Sequence, residues 1–194
     1  LGDVYKRQVQ YYDKRKKEFL TQDLYDNSKN LRNVEKKVLD SENWFGCLYY
    51  EIIQEKKNGK QYYTLLGWDG IDEYSTQKII DVLHFTRNKI TFGHPIFIKE
   101  KNKDNRVLIE YDERTSVSLS YNKKEKKIIF NNLIPIKKEL EGLYEYYVPD
   151  GSNNSYNYKS GKWIFEKDID ARNDKNNNSR KKPKMGLLPS RWLN

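Results

Sequence analysis

Cys47–Gln54 (CLYYEIIQ) and Gln61–Trp68 (QYYTLLGW) are two β-rich runs separated by the linker EKKNGK, residues 55–60. Asn58-Gly59 in that linker is a strong signal for a tight hairpin, because both residues tolerate positive φ. Tyr, Ile and Leu on either side suit a pleated, half-buried surface. The stretch therefore reads as two antiparallel strands, and its rhythm continues in both directions.

Downstream, Lys78–Phe85 (KIIDVLHF) is an apolar run of strand length. Its Ile79, Ile80 and Val82 are stiff at χ1, which favours a strand over a short helix begun at Ser75. Further strands are predicted over Thr91–Ile98, Arg106–Tyr111, Ser116–Tyr121, Lys127–Leu133 and Gly142–Val148. Gly93 and Pro95 mark an edge or bulge in the first of these. Trp68-Asp69-Gly70 and Pro149-Asp150-Gly151 read as turns. Ser155–Lys159 and Lys162–Glu166 pair across Ser160-Gly161.

Upstream, a strand is predicted near 18–25, ending at Asp26-Asn27-Ser28. Leu20, Leu24, Leu31, Val34 and Val38 also have helical spacing, but the Asp-Asn-Ser cluster interrupts it. Asp40 to Asn43 supply N-cap residues for one helical turn before Trp44. About ten short strands at steady spacing define an all-β domain of antiparallel sheets over residues 9–171. Sandwich, barrel and propeller-like stacking all fit that pattern.

Charge is distributed unevenly over the 194 residues. The formal net charge is +9, of which residues 1–8 carry +1 and residues 172–194 carry +6, leaving +2 for residues 9–171. A nearly neutral body with a basic polar tail is not a basic nucleic-acid domain, so nucleic acid is not an expected partner. Arg180-Lys181-Lys182 supports at most non-specific phosphate contact. Aromatic residues make up 14% of the chain, with 16 Tyr, which argues for a folded body. Leu187, Leu188 and Trp192 form a small apolar cluster in the tail, which either frays or docks back on the body.

No apolar run reaches the roughly 18 residues that span a bilayer. A single cysteine, Cys47, excludes an internal disulfide. Leu1–Gln8 (LGDVYKRQ) resembles a translated adapter sequence and is set aside from the fold. There is no initiator Met, and Met185 is the only methionine, as in a C-terminal fragment of a longer protein. A fragment that has lost upstream strands exposes an unpaired edge near residues 18–25, so it should aggregate more than an extended chain.

Several segments together resemble an uncharacterised family of Bacteroidota proteins. They are ENWFGCLYYEII (42–53), QYYTLLGWDG (61–70), KIIDVLHF (78–85), FGHPIF (92–97), RVLIEYD (106–112), GLYEYYVPDGS (142–152) and GKWIFEKDIDARN (161–173). The resemblance covers most of residues 18–173. It implies an export signal and further strands upstream of Val9, hence a periplasmic or outer-envelope location and an envelope protein or glycan as partner. The chain departs from the family pattern at Asn131-Asn132, where the family tends to carry Asp-His. It is also less acidic after Pro149-Asp150.

No cofactor motif and no catalytic constellation is legible. The two histidines, His84 and His94, lie in no recognisable triad or metal motif. The candidate ligand-binding residues are Trp68, Asp69, Asp72 and Asp150. Carboxylates in loops bind cations or sugars, although Asp at such positions also caps its own turn. Asp150, Ser152 and Asn154 have alternating oxygen spacing, but Ser155 stands where a calcium-binding EF-hand loop needs Gly. Trp44, Trp68 and Trp163 offer either a ligand platform or core packing, and core packing is expected for at least two of them. These readings predict a non-catalytic binding or structural domain. The alternative is a hydrolase of glycans or peptides with two carboxylates about 5–9 Å apart.

Overall fold

A computed structural model describes residues 7–13, 15–57, 59–86 and 89–169. The described residues form an all-β sandwich, with no closed barrel among them. Its strands are β1 (Arg7–Asp13), β2 (Glu18–Leu24), β3 (Leu39–Asp40), β4 (Leu48–Lys57), β5 (Lys60–Gly70), β6 (Ser75–Thr86) and β7 (Lys89–Phe92). They continue as β8 (Phe97–Lys99), β9 (Asn102–Asp104), β10 (Val107–Asp112), β11 (Leu119–Asn122), β12 (Lys127–Pro135), β13 (Tyr147–Lys159) and β14 (Lys162–Ile169).

One sheet has the order β3-β7-β6-β5-β4, and β10 also pairs with β6. β6 is long enough to serve two partners. Its first half, Ser75 to Ile80, pairs with β10, and its second half, Leu83 to Thr86, pairs with β7. The other sheet has the order β11-β12-β13-β14-β8-β9. All its pairings are antiparallel except β14 with β8. β1 and β2 form a separate hairpin.

Side chains alternate across a strand, so adjacent apolar residues enter different cores. Leu66 and Ile80 join Ile128, Phe130, Tyr156 and Trp163 between the sheets. Their neighbours Leu65 and Ile79 join Val34, Leu39, Trp44 and Phe45, which come from the N-terminal segment that covers the other face. This explains the Ile79–Leu83 run of β6: both of its faces are buried, and Asp81, the charged residue within it, is paired inside the core with Arg106.

The β4–β5 hairpin forms as the sequence predicts. Four segments differ. Trp68-Asp69-Gly70 is not a turn but the end of β5, and the turn falls at Ile71–Tyr74. Asp72 fixes it there, because its Oδ1 accepts the backbone N–H groups of Tyr74 and Ser75 at 2.8 Å each. The predicted strand 91–98 is split into β7 and β8, with Gly93 at φ +92° between them. The predicted strand 142–148 is largely a 3-10 turn at Tyr144–Tyr146. Pro149-Asp150-Gly151 does not end a strand; β13 runs through it, with Gly151 at φ +89° beside register shifts on both sides of the strand.

Smaller differences lie upstream and in β11. The residues before Trp44 form a hydrogen-bonded turn rather than a helix, with Asp40 Oδ1 accepting from the N–H groups of Glu42 and Asn43. The predicted strand 116–121 is the shorter β11. The strand near 18–25 is β2, and it pairs with β1, which takes in Arg7 and Gln8 of the stretch set aside from the fold. Arg7 reaches Asp26 at 2.9 Å. The basic tail beyond residue 171 lies outside the described residues.

Candidate functional site

β10 pairs with β6 along one side, and among the described residues its other side carries no strand. The 3-10 turn Tyr144–Tyr146 packs against β10 and the start of β6. Between this turn, the Ile71–Tyr74 turn and the end of β10 lies a cleft of about 720 Å³. Ile71, Asp72, Tyr74, Glu110, Glu145 and Tyr146 are among the residues facing it. A smaller hollow of about 210 Å³ follows β10 toward Val107, over Phe130, Tyr156 and Phe165 of the opposite sheet. The two adjoin at Glu110, which lines both. One end of the combined cleft is acidic and the other is apolar and aromatic.

The acidic end holds five carboxylates, Asp72, Glu73, Glu110, Asp112 and Glu145, against one cation, Arg114. They are not equivalent. Arg114 grips Asp112 through both oxygens, with Nε to Oδ1 at 2.9 Å and Nη2 to Oδ2 at 2.6 Å. This fork holds the Asp112 carboxyl below its ordinary range. Backbone N–H groups of Tyr74 and Ser75 likewise hold Asp72 low. Glu110 is pushed the other way. Burial raises it, and nearby Glu145 and Asp72 raise it further against a hydrogen bond from Ser75.

The four predicted site residues occupy separate places. Asp72 lines the cleft. Asp69 does not; on β5 its side chain accepts from Gln77 Nε2 at 3.2 Å, and burial raises its carboxyl. Trp68, 39% exposed, stands on β5 with its ring against Gly70. Asp150 on β13 accepts from the Ser152 N–H at 2.9 Å, the Ser152 hydroxyl at 2.8 Å and Asn132 Nδ2 at 2.8 Å. Those bonds hold it low and connect it, through Asn132, to the smaller hollow. Asp150 and Ser152 thus bond to each other, and no cluster with metal-ligating composition occurs among the described residues.

Trp44 and Trp163 are buried in the two cores. His84 and His94 lie with ring centroids 5.1 Å apart, and each packs against Tyr62. Sequence reasoning missed Glu110, Tyr74, Glu145 and Tyr146. The available signal was Glu110 within RVLIEYD, a charged residue inside an otherwise apolar strand. No known protein family, curated protein or solved structure matches the chain.

Proposed function

We propose that the chain is a non-catalytic binding domain of the bacterial cell envelope, and that its ligand lies in the cleft beside β10. The observation that carries this reading is the cleft itself. A strand edge with no partner strand among the described residues, an aromatic floor and a rim of carboxylates converge on it. Such an edge offers backbone hydrogen bonds to an extended ligand, and the flanking hollows select its side chains. Asp72 and Asp112 are committed to a turn and to Arg114, which fits shaping and charging a surface better than proton transfer. The envelope location rests on the family resemblance alone.

The test compares capture from solubilised envelope of the host by the wild-type chain and by Glu145→Lys and Tyr74→Ala. The same envelope component should be retained by the wild type and lost by both variants. Equal retention by all three removes the cleft from the function. Fractionation of the full-length host protein tests location, and a purely cytosolic pool would sink the envelope reading.

One observation favours a hydrolase instead. Glu110 is held above its ordinary value beside Glu145 and Asp72, which is how an acid and a base are set apart. On that reading Glu110→Gln abolishes cleavage of a glycan or peptide substrate. Unchanged turnover by that variant would dismiss it.

A further inference from the structure

We infer, resting on the reading of this cleft as a binding site, that its smaller hollow is a subsite for one uncharged pyranose ring of a glycan. The hollow is set apart from the carboxylate cluster, and Glu110 is the one residue common to both.

Its polar wall is made by a break in the β12–β13 ladder. Neighbouring residues on a strand point to opposite faces, yet Asn131 and Asn132 both line the hollow. Asn131 pairs with Asn153 and Leu133 with Pro149, so residues 150–152 of β13 stand against Asn132 alone. Gly151, at φ +89°, lets β13 take up the excess. A bulge of this kind re-aims a side chain, and bulges recur beside active sites.

A carboxamide has two N–H donors and two lone pairs on its oxygen. Asn132 Oδ1 accepts from Asn154 Nδ2 at 2.9 Å, and its Nδ2 donates to Asp150 Oδ2 at 2.8 Å. Asn154 is buried, and Asp150 is itself held by Ser152. These bonds fix the plane and sense of the Asn132 amide. Among the described residues they leave it one N–H and one lone pair. Asn131 Oδ1 accepts from the Ser118 N–H at 2.7 Å and the Ser118 hydroxyl at 2.9 Å, and its Nδ2 donates to Asn153 at 3.3 Å. One Asn131 N–H remains. Two adjacent amides, braced from behind, thus offer two donors and an acceptor. Lys99 and Glu110 add one charge of each sign, so the hollow favours neither a cation nor an anion.

The rest of the lining is apolar. Phe130 and Tyr156 are 6% and 3% exposed and form a dry floor rather than stacking faces. Lys99 Nζ covers the Phe165 ring, 4.8 Å from its centroid. Tyr144, 51% exposed, is the ring left open to a ligand. Aromatic faces are electron-rich, and the C–H groups of a pyranose face pack on them. The hollow's 210 Å³ lies below the roughly 300–1,000 Å³ of pockets for drug-sized ligands, which limits it to one ring. Around that ring each hydroxyl both donates and accepts, which matches the mixed donors and acceptor of Asn131 and Asn132. An aliphatic or phenyl side chain would instead strip water from these amides and return no hydrogen bond.

Proton–nitrogen correlation NMR of the full chain tests this, because the Asn131 and Asn132 side-chain amides give signals of their own. The probes are the methyl glycosides of glucose, galactose, mannose and N-acetylglucosamine, with N-acetylphenylalanine amide as the peptide probe. At least one glycoside should shift both side-chain amides and the backbone amides of 144–147 in a saturable way. Asn132→Ala and Tyr144→Ala should each weaken that binding roughly tenfold. Leu133→Trp, which fills the hollow and keeps both amides, should abolish it. The inference is overturned if no glycoside moves these signals, or if the peptide probe alone does. Equal binding by the wild type, Tyr144→Ala and Leu133→Trp also overturns it, as contact outside the hollow. Tyr144 is exposed, so its variant remains decisive even if Asn132→Ala disturbs the bulge. Envelope capture is read separately. Capture without glycoside binding refutes the sugar subsite alone, and glycoside binding without capture refutes the envelope reading alone.

Discussion

Arg106 Nε donates to Asp81 Oδ2 at 3.1 Å, and both side chains are wholly buried. The pair does more than neutralise itself. Arg106 Nη1 also donates to the carbonyl oxygens of Val34 and Lys37. Asp81 accepts from the Tyr49 hydroxyl at 3.1 Å and the Val82 N–H at 2.7 Å. An ion pair inside the core thus ties the loop before β3 to β6 and to the start of β10. Breaking one member leaves the other charged and buried, which costs about 3–5 kcal/mol. Arg106→Met or Asp81→Leu should each destabilise by that amount in urea titrations. The double substitution should cost clearly less than their sum. Additive losses would mean that the two residues act independently.

The sheets are joined by a second buried polar contact. Trp163 Nε1 on β14 donates to Thr64 Oγ1 on β5 at 3.0 Å, and neither residue is exposed. Trp163→Phe leaves the Thr64 hydroxyl without this partner, and Thr64→Val does the same to the indole N–H. Each should cost about 1–3 kcal/mol, the larger loss falling on Trp163→Phe because it also removes packed volume. The pair of substitutions should recover part of that loss, because no polar atom is then stranded. A thermal-melt cycle measures this, and zero coupling would contradict it.

Local chemistry made much of the fold legible. The Asn58-Gly59 hairpin, the β13–β14 hairpin at Ser160-Gly161 and the β-branched run of β6 are all written in residue type. What was not legible depends on partners distant in sequence. Tyr147 to Lys159 looks interrupted by Pro149-Asp150-Gly151, yet Leu133 and Ile134 of β12 pair with Pro149 and Val148 and keep the strand going. Arg106 looks like a surface charge at the head of a strand, and only Asp81, Val34 and Lys37 make it a core residue. The cleft was hidden for the same reason. Ile71–Ser75, Glu110 and Tyr144–Tyr146 meet only after β6 has paired with β10, and of the four candidate residues Asp72 alone was placed there.

Two glycines separate backbone strain from collision. Gly93 has φ +92°, and a Cβ there would stand 2.7 Å from the Lys37 carbonyl oxygen and 2.9 Å from Arg106 Nη2. Gly142 has nearly the same φ, +89°, but nothing lies within 4 Å of its Cβ position. Gly142→Ala should cost only the left-handed backbone penalty, about 1–2 kcal/mol. Gly93→Ala carries that penalty and also presses on the loop that Arg106 holds, so its loss should be clearly larger. Equal chemical-denaturation midpoints for the two variants would show that the neighbours of Gly93 yield freely.

Acid titration should reveal opposite contributions from the cleft carboxylates. Glu110 is raised above its ordinary 4.5 in the fold, chiefly by burial. Its ionised form therefore opposes folding, and that opposition appears as pH rises from 4.5 through the raised value. Asp72, Asp112 and Asp150 are lowered below 3.8 by hydrogen bonds that favour their ionised forms. Their stabilisation is complete above 3.8 and is lost as pH falls through the lowered values. Glu110→Gln keeps the shape and removes the unfavourable charge. Relative to the wild type it should melt higher at neutral pH, and the advantage should shrink as pH falls to 4.5 and below. Asp112→Asn should do the reverse: less stable than the wild type at neutral pH, and nearly equal to it once Asp112 is protonated in both the folded and unfolded chain. Melts of the three proteins across that range decide the matter. A Glu110→Gln offset that does not vary with pH would show that Glu110 acts through packing and hydrogen bonding rather than through its charge.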